Sequence, residues 1–425
     1  MNAAKLVLTA LLSFALCQPA VHAGGFPSLS GQAYLEQAAA AIEEALDRGD
    51  PGLVEEFAAL SESGAYATEP LVGKALKRRV VRLATARLAS TADTASAVKR
   101  RLAAALTRLE KPPQAPAPAG SHAPIRLPAD EAAHMRLAEW WYINGHLRDD
   151  EGREYGYELT FFHVRPGIFF VHTAITDIAG GKFHRRREYL SPLACRTPTD
   201  RLDVVYGKTH ALTRGESGRG YAIRATTDGG ALALSLRPLK APMMVNGDGI
   251  IDMPEGTFSW YYSMTRLATA GELELDGKKF RVAGLSWMDH QWGNFVTLRI
   301  GWDWFSVQLD DGSDFNIFSF RKGNSAPIAQ YVNRLDGAAV LTTSHQVGLE
   351  RLAWWKSPET GKDYVTRWRL AVPGHAPIDI ESRLDGQELP RAPFDPAPGY
   401  WEGKCRPSSG GVGGVAYCEQ FAYPR

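Results

Sequence analysis

The chain of 425 residues has the length of two or three domains, and its 44% hydrophobic and 22% charged residues are the balance of a globular protein. Its 48 Lys and Arg residues nearly cancel its 47 Asp and Glu residues, and this net charge of +1 argues against a nucleic-acid-binding protein. The 41 Gly, the 26 Pro and the 10% aromatic content favour turn-rich β structure over a helical bundle.

The first 23 residues are typical of a signal peptide. Lys5 supplies a positive charge, residues 6–16 form an apolar run, and Val21-His22-Ala23 is a cleavage site of the small-x-small type. The apolar run is shorter than the ~20 residues of a transmembrane helix, and no later segment reaches that length. We therefore expect a periplasmic or secreted protein that is cleaved between Ala23 and Gly24, with no transmembrane segment in the mature chain.

The cysteines fit an exported protein. Cys17 could carry a lipid, but Leu16 stands where a lipobox has a small residue, so lipidation is the less favoured alternative. The mature chain keeps Cys195, Cys405 and Cys418, and an odd count in an oxidising compartment predicts one disulfide and one free thiol. Three buried thiols that act as small hydrophobic residues are the alternative.

Residues 24–110 have a helical composition, rich in Ala, Leu, Glu and Arg. Apolar residues recur at helical spacing in residues 102–109, and Pro51 and Pro70 mark helix boundaries. We expect a few short helices in a separate piece, which is either a docking or regulatory extension or, as the favoured alternative, a solvated appendage. A Pro/Ala-rich linker at residues 111–129 then separates this segment from the rest of the chain.

The hydrophobic period changes to two from about Glu131 onward. Residues 154–163 alternate in this way, and Asp-Gly turns such as Asp276-Gly277 separate the apolar runs, which is a strong local signal for β-hairpins. Because closure of a sheet removes exposed edges, we expect a mainly β region that forms two antiparallel β-barrels. The first is predicted to span residues 130–297 and the second residues 298–425.

Four clusters of aromatic and polar residues resemble the AttH/CrtC family of lipocalin-like proteins, which contains the carotenoid 1,2-hydratases (hydroxyneurosporene synthases). A fifth stretch, from His172 to Asp177, also matches the family pattern, and the resemblance covers about Leu137 to Tyr423. Near the C-terminus the chain keeps Glu419 and Tyr423 of that pattern but not the residues between them. The four clusters are Glu139-Trp140-Trp141-Tyr142, residues 284–293, residues 301–305 and Tyr400-Trp401-Glu402-Gly403.

The resemblance implies two lipocalin-like β-barrels with an apolar ligand pocket, and water-adding chemistry in some members. Other members resemble fungal pericyclases, and many are encoded beside ABC-exporter permeases and have no assigned reaction. The expected partner is therefore an apolar small molecule or lipid, with an ABC-type exporter as a neighbour and no nucleic acid. The chain has no P-loop and no strand–GxGxxG–helix unit, and we expect no cofactor.

Hydration of an isolated alkene needs an acid that protonates carbon, an environment that stabilises the cation, and a base that activates water. A carboxylic acid in apolar surroundings has a raised pKa and can donate a proton at neutral pH. Aromatic faces stabilise a nearby cation by ~0.5–2 kcal/mol each. The pattern to expect is therefore Asp or Glu among Trp and Tyr on strands that line a dry barrel.

Asp303, Asp289 and His290 are the candidate catalytic residues. Asp303 lies between Trp302 and Trp304 in a strand of period two, so its side chain points to the opposite face from both tryptophans. The alternative for Asp303 is a solvated position, with both tryptophans in the core. Asp289 and His290 could transfer a proton near neutral pH, whereas the alternative for Asp289 is a backbone cap.

The ligand pocket is expected to be aromatic, and other polar residues have structural alternatives. Glu139 and Glu402 could plug a barrel through hydrogen bonds. His146, His163 and His172 could bind zinc, but their spacing is not that of a metal site, so we predict no metal. The residues expected to line the pocket are Trp141, Tyr142, Trp287, Trp292, Trp302, Trp304 and Trp401.

Three functions are compatible with these patterns. The first is a hydro-lyase that acts on an isoprenoid or similar apolar substrate, and the second is a carrier that shields a lipid for an envelope exporter. A structural adaptor that works through the helical segment is the weakest of the three. A buried carboxylic acid that faces the pocket would favour the enzyme, whereas a purely apolar lining would favour the carrier.

The last two predicted strands contain two cysteines that could form the disulfide. If Tyr400 pairs with Tyr423 in an antiparallel hairpin, Cys405 lies directly opposite Cys418. Opposed residues at a non-hydrogen-bonded pair have Cα atoms ~4.5 Å apart, which suits a disulfide. A register slip of one residue is the alternative and would send the two side chains to opposite faces.

Overall fold

A computed structural model describes most of the chain. The predicted signal peptide, residues 1–23, and the middle of the predicted linker, residues 114–121, lie outside the described ranges. Within those ranges, no helix is both long enough and apolar enough to cross a membrane. The described residues are 31–67, 69–90, 97–113, 122–215, 218–253, 257–294, 301–321, 327–336, 339–344, 347–391 and 399–421.

The described N-terminal residues form four α-helices, as the composition predicted. The second helix begins directly after Pro51 and the third begins at Pro70, so both prolines mark helix starts, where the missing N–H is tolerated. The apolar face of the last helix buries Leu102, Ala105 and Leu109. The bounds are α1 Gly31–Asp47, α2 Gly52–Glu62, α3 Pro70–Ser90 and α4 Ala97–Glu110.

These helices are packed against the β region, so the favoured expectation of a solvated appendage is wrong. The buried Tyr34 hydroxyl donates a hydrogen bond to the carbonyl oxygen of Arg165 at 2.7 Å. The Arg165 guanidinium lies 3.0 Å from the carboxylate of Glu56 in α2. Gly167, in the turn that follows, has φ +72°, and a Cβ atom there would lie 2.6 Å from Leu53. The helices therefore contact the sheet too closely to form a separate piece.

The first antiparallel sheet has 13 strands and curls into a nearly complete barrel. Its hydrogen-bonded order is β4-β3-β2-β1-β13-β12-β9-β8-β7-β6-β5, and β10 and β11 both pair with β12. Its strands are β1 Ala138–Asp149, β2 Glu154–Val164, β3 Ile168–Asp177, β4 Lys182–Leu190, β5 Cys195–Arg196, β6 Asp203–Tyr206, β7 His210–Arg214, β8 Tyr221–Thr227, β9 Gly230–Pro238, β10 Met243–Met244, β11 Ile250–Met253, β12 Thr257–Leu275 and β13 Lys278–Gly293.

The second antiparallel sheet has 10 strands and forms a half-barrel. Its order is β17-β16-β15-β14-β23-β22-β20-β19-β18, with β21 paired to β22. The predicted class, mainly β with two lipocalin-like antiparallel β-barrels after a small helical segment, is confirmed, and the second barrel is only half formed. Its strands are β14 Gly301–Leu309, β15 Asp314–Arg321, β16 Pro327–Asp336, β17 Ala339–Ser344, β18 Gly348–Lys356, β19 Asp363–Ala371, β20 Ile378–Ser382, β21 Glu388–Leu389, β22 Tyr400–Ser409 and β23 Gly414–Phe421.

The two sheets meet face to face, and their strands alternate between a barrel interior and the layer between the sheets. Trp141 of β1 points into the first barrel, whereas its neighbours Trp140 and Tyr142 point toward the second sheet. The rings of Tyr142 and Trp304 contact each other edge to face, with centroids 5.1 Å apart. We call this buried contact region the interbarrel layer. Its large side chains are Trp140, Tyr142, Tyr261, Trp287, Trp302, Trp304, Phe318, Phe320 and Tyr400.

Candidate functional site

The interbarrel layer encloses a small aromatic cavity of about 50 Å³. Strands from both sheets line it, and the aromatic walls include Tyr142, Trp302 and Trp304, three of the residues expected to bind a ligand. Two carboxyl groups, those of Asp289 in β13 and Glu419 in β23, also line it. The cavity therefore places two acids within an otherwise mostly aromatic surface.

Asp289 is fully enclosed and surrounded by hydrogen-bond donors. Its Oδ2 accepts a hydrogen bond from the Tyr261 hydroxyl at 2.5 Å, and its Oδ1 accepts one from the Trp287 indole N–H at 2.6 Å. The Ser263 hydroxyl is a third partner. Burial raises the pKa of Asp289 to about 7, while these three hydrogen bonds act in the opposite direction.

Two further hydrogen bonds fix the direction of the O–H bond of Tyr261. Its oxygen accepts hydrogen bonds from the Trp304 indole N–H at 3.2 Å and from the Asn316 amide at 3.0 Å. Since both lone pairs of the oxygen are then engaged, the phenolic proton points to Asp289. Asp289 is thus arranged as an acceptor, which is the arrangement expected of a carboxylate that serves as a base.

Glu419 accepts fewer hydrogen bonds than Asp289 and has a higher pKa. The Trp302 indole N–H donates a hydrogen bond to its Oε1 at 2.6 Å. Burial raises the pKa of Glu419 to about 8, the hydrogen bond from Trp302 lowers it, and the charge of Asp289 raises it. Glu419 is therefore mostly protonated at neutral pH, whereas Asp289 is near the midpoint of its titration, so the two groups can serve as one acid and one base.

Two more buried glutamates extend this group behind the cavity. Glu402 lies directly across the β22–β23 pair from Glu419, and its pKa is raised well above the ordinary value by burial and by the charges of Glu158 and Glu419. Burial likewise raises the pKa of Glu158 to about 8. The hydroxyls of Tyr142 and Tyr400 adjoin the Glu402 carboxyl group. We call Glu158, Asp289, Glu402 and Glu419 the carboxyl cluster.

Asp303 lies outside this cavity. It is buried on the face of β14 opposite Trp302 and Trp304, as the alternation predicted, and there it faces the second barrel. Its Oδ2 accepts a hydrogen bond from Arg351 at 3.0 Å and lies 3.7 Å from the Arg321 guanidinium. The alternative that Asp303 is exposed to solvent is wrong, because its side chain is fully buried. The catalytic role expected for Asp303 stays a prediction that this placement does not favour.

His290 points into the first barrel rather than into the cavity with Asp289. Its Nε2 lies 2.8 Å from Glu139, whose Oε1 is also 2.7 Å from Nδ1 of His134. Burial lowers the pKa of His290 to about 4, whereas the hydrogen bonds from His134 and His290 help to lower the pKa of Glu139 to about 2. Trp141 and Trp292 stack beside His290 and His134 respectively. This cluster fits the structural role that was the alternative for Glu139.

His134, Glu139 and His290 are the one group within the described residues whose ligand atoms are close enough for a metal ion. Two histidines and one carboxylate are suitable donors for a transition metal. Here, however, both rings are hydrogen-bonded directly to the carboxylate, so a cation would have to separate them. His172, one of the histidines considered from the sequence, instead contacts the Tyr400 hydroxyl at 2.7 Å.

Several predicted pocket residues lie elsewhere. Trp141 and Trp292 are in the core of the first barrel, and Trp401 is in the core of the second barrel, where its indole donates to the carbonyl of Asp385 at 2.6 Å. Trp287 lies in the interbarrel layer and contacts Asp289 without lining the cavity. Period-two alternation explains this division, because neighbouring aromatic residues of one motif face different layers.

The predicted register of the final hairpin is wrong by two residues. Tyr400 pairs with Phe421 rather than Tyr423, so Cys405 lies opposite Ala416 and Cys418 opposite Gly403. A shift of two residues keeps both cysteines on the same face, where Cys418 and Cys405 remain close enough to interact. Both are free thiols in this structure, as is Cys195. The structure therefore does not contain the predicted disulfide.

Sequence reasoning missed Tyr261 and the roles of Glu158, Glu402 and Glu419. Glu419 entered only as a residue that the family resemblance retains. The correct pairing puts Glu419 opposite Trp304 on one side and opposite Glu402 on the other. Directly opposed like charges destabilise a sheet, so two facing glutamates would have signalled protonated acids had the register been known.

The chain belongs to the AttH-like family, whose model matches residues 118–423. Among solved structures, an AttH protein from Nitrosomonas europaea is 28% identical, with a TM-score of 0.66 over 73% of this chain and 100% of that one. Kievitone hydratase from Nectria haematococca has 17% identity and a TM-score of 0.59, over 72% of this chain and 94% of its own. No protein with a curated description matches the sequence.

Proposed function

We propose that this protein adds water to a carbon–carbon double bond of an apolar substrate at the aromatic cavity. The observation that carries the proposal is the pair of carboxyl groups that line the cavity, half-buried Glu419 with a pKa of about 8 and buried Asp289 with a pKa of about 7. A lining without acids would instead favour a carrier. The likeness to kievitone hydratase adds that this fold is compatible with a hydratase.

The roles follow from the protonation states. Glu419 is protonated at neutral pH and gives its proton to the less substituted alkene carbon, so the carbocation forms at the more substituted carbon. The faces of Trp302 and Trp304 stabilise that cation by ~0.5–2 kcal/mol each. Water adds to the cation as its proton passes to the Asp289 carboxylate. The cycle closes when that proton returns from Asp289 to Glu419.

The size of the cavity restricts what it holds. A volume of about 50 Å³ suffices for water but is far below the ~300–1,000 Å³ of ordinary ligand pockets. Substrate entry therefore requires some of the aromatic side chains to move. Because two acids line the cavity, we propose an enzyme rather than a carrier.

The test measures incorporation of labelled oxygen. The mature protein is incubated in ¹⁸O-water with acyclic isoprenoid alkenes such as squalene and with kievitone, and mass spectrometry detects an alcohol that contains ¹⁸O. We expect product with the unaltered protein and a loss of ~10²–10⁴-fold in Glu419→Gln and Asp289→Asn. Glu272→Gln, at an exposed residue of β12, is the matched control and should retain the activity.

Two results would contradict the proposal. One is the absence of labelled product from every alkene tested with the unaltered protein. The other is an unchanged yield in Glu419→Gln, because the reaction would then need another acid.

We also propose that the protein is exported, on the strength of residues 1–23. N-terminal sequencing of the protein from its own cells should find Gly24 as the first residue. A chain that still begins at Met1 would contradict export by signal cleavage.

A further inference from the structure

A second cavity, of about 280 Å³, lies between the two sheets at the C-terminal end of β1. Its lining is strongly basic, with Arg148 of β1, Arg383 after β20, and Lys404 and Arg406 of β22. The carboxylate of Glu154 is the only acidic group that lines it among the described residues. We call this space the cationic cavity.

Lys404 is the most enclosed of these cations, with 5% of its side chain exposed. It enters the layer where Gly156 provides room, since a Cβ atom on that glycine would lie 2.7 Å from Cβ of Lys404. Its ammonium group lies 3.3 Å from Nδ1 of His146 and 3.8 Å from the Glu154 carboxylate. A buried ammonium without a close carboxylate pays a desolvation cost that an anion would offset.

The charges of the cationic cavity are not balanced. Glu154 lies 2.5 Å from Arg148, but 3.6 Å from Arg383 and 3.8 Å from Lys404, so only the first contact is a close ion pair. The buried Nε of Arg383 has no hydrogen-bond partner within the described part of the chain. Four cationic side chains against one carboxylate leave three excess positive charges, and burial keeps His146 neutral by lowering its pKa.

We propose that the cationic cavity binds a phosphate group, either free diphosphate or the phosphate of an organic ester. Guanidinium groups bind phosphate oxygens through paired hydrogen bonds, and the ammonium of Lys404 adds a point charge. The excess of three positive charges suits a multiply charged anion better than a monocarboxylate. This site is separate from the aromatic cavity, and the proposal does not depend on the proposed hydratase activity.

The test is isothermal titration calorimetry on the mature protein, with inorganic diphosphate, inorganic phosphate and a prenyl diphosphate as separate probes. We expect one saturable site for diphosphate that weakens as sodium chloride is added, because salt screens the attraction. Tighter binding of the prenyl diphosphate would identify an organic ester as the ligand. Equal binding of the two diphosphates would identify the free anion.

The variants separate the site from nonspecific attraction. Lys404→Met and Arg406→Gln should each weaken diphosphate binding about tenfold or more, whereas Lys404→Arg should largely retain it. Arg406 is exposed, so its substitution tests the site even if Lys404→Met fails to fold. Arg281→Gln, at an exposed residue of β13 outside the cavity, is the matched control and should bind normally. No saturable binding, or equal binding by Arg406→Gln and the control, would overturn the proposal.

Discussion

At the scale of single residues, the two acids of the aromatic cavity accept hydrogen bonds from different sets of donors. Asp289 accepts bonds from Tyr261 and Trp287, whereas Trp302 donates a hydrogen bond to Glu419. In both groups burial raises the pKa and the donated hydrogen bonds oppose that rise, while the charge of Asp289 raises the pKa of Glu419 further. The proposed roles of acid and base thus rest on side-chain contacts that sequence periodicity does not reveal.

The first prediction concerns pH. Activity needs Asp289 ionised and Glu419 protonated, so kcat/KM should rise with pH through about 7 and fall through about 8. Trp302→Phe removes a hydrogen bond that lowers the pKa of Glu419, so it should move the alkaline limb to higher pH. A profile that is flat between pH 6 and 9 would contradict these roles.

The second prediction separates a structural role of Asp303 from a catalytic one. Asp303→Asn removes the charge that Arg351 and Arg321 share, so the free energy of unfolding in urea should fall by ~1–3 kcal/mol. We expect kcat to stay within about tenfold of the original value, since Asp303 does not line the cavity. Unchanged stability with a large loss of turnover would restore the catalytic role predicted from the sequence.

At the scale of elements, strand alternation explains which part of the site could be predicted. The motifs identified Asp289, Trp302 and Trp304, and the structure brings all three to the cavity. Alternation alone divides the residues of a strand between two faces. It does not predict which face lines a barrel interior and which face contacts the other sheet. Which residue of β22 faces Glu419 of β23 also depends on register. The predicted register was wrong by two residues, so it did not place Glu402 opposite Glu419.

The third prediction follows from that approach. Glu402 has a raised pKa, so its contribution to stability is present below the ordinary glutamate pKa and is lost as pH rises through the folded-state pKa. Glu402→Gln removes this dependence. The free energy of unfolding of the variant, relative to that of the unaltered protein, should therefore increase by up to about 1.4 kcal/mol per pH unit above pH 5. Urea unfolding at pH 5, 7 and 9 measures this, and a difference that stays constant with pH would exclude a protonated Glu402.

The fourth prediction concerns the same hairpin. The described part of the chain has three free thiols, with Cys405 opposite Ala416 rather than Cys418. Alkylation of the unfolded, unreduced mature protein should therefore label three cysteines. A single labelled cysteine would instead support the disulfide predicted from the sequence.

At the scale of the whole molecule, the change of hydrophobic period from helical spacing to two was enough to predict the fold class. It could not predict how the helices pack, because contacts such as that of Tyr34 with Arg165 join residues far apart in the chain. The change of period also could not predict the interbarrel layer, because that layer consists of contacts between two different sheets. Both cavities lie between the sheets, so the arrangement of the sheets decides which polar residues line them.

The most direct test of the central claim is a carbon-13 NMR titration of the carboxyl groups in the mature protein, with Glu419→Gln and Asp289→Asn used to assign the signals. The account predicts that Glu419 titrates at about pH 8 and Asp289 at about pH 7, so a protonated acid faces the aromatic cavity at neutral pH. Titration of Glu419 at an ordinary glutamate value of about 4.3 would contradict the account, because Glu419 would then be ionised at neutral pH and could not protonate the alkene.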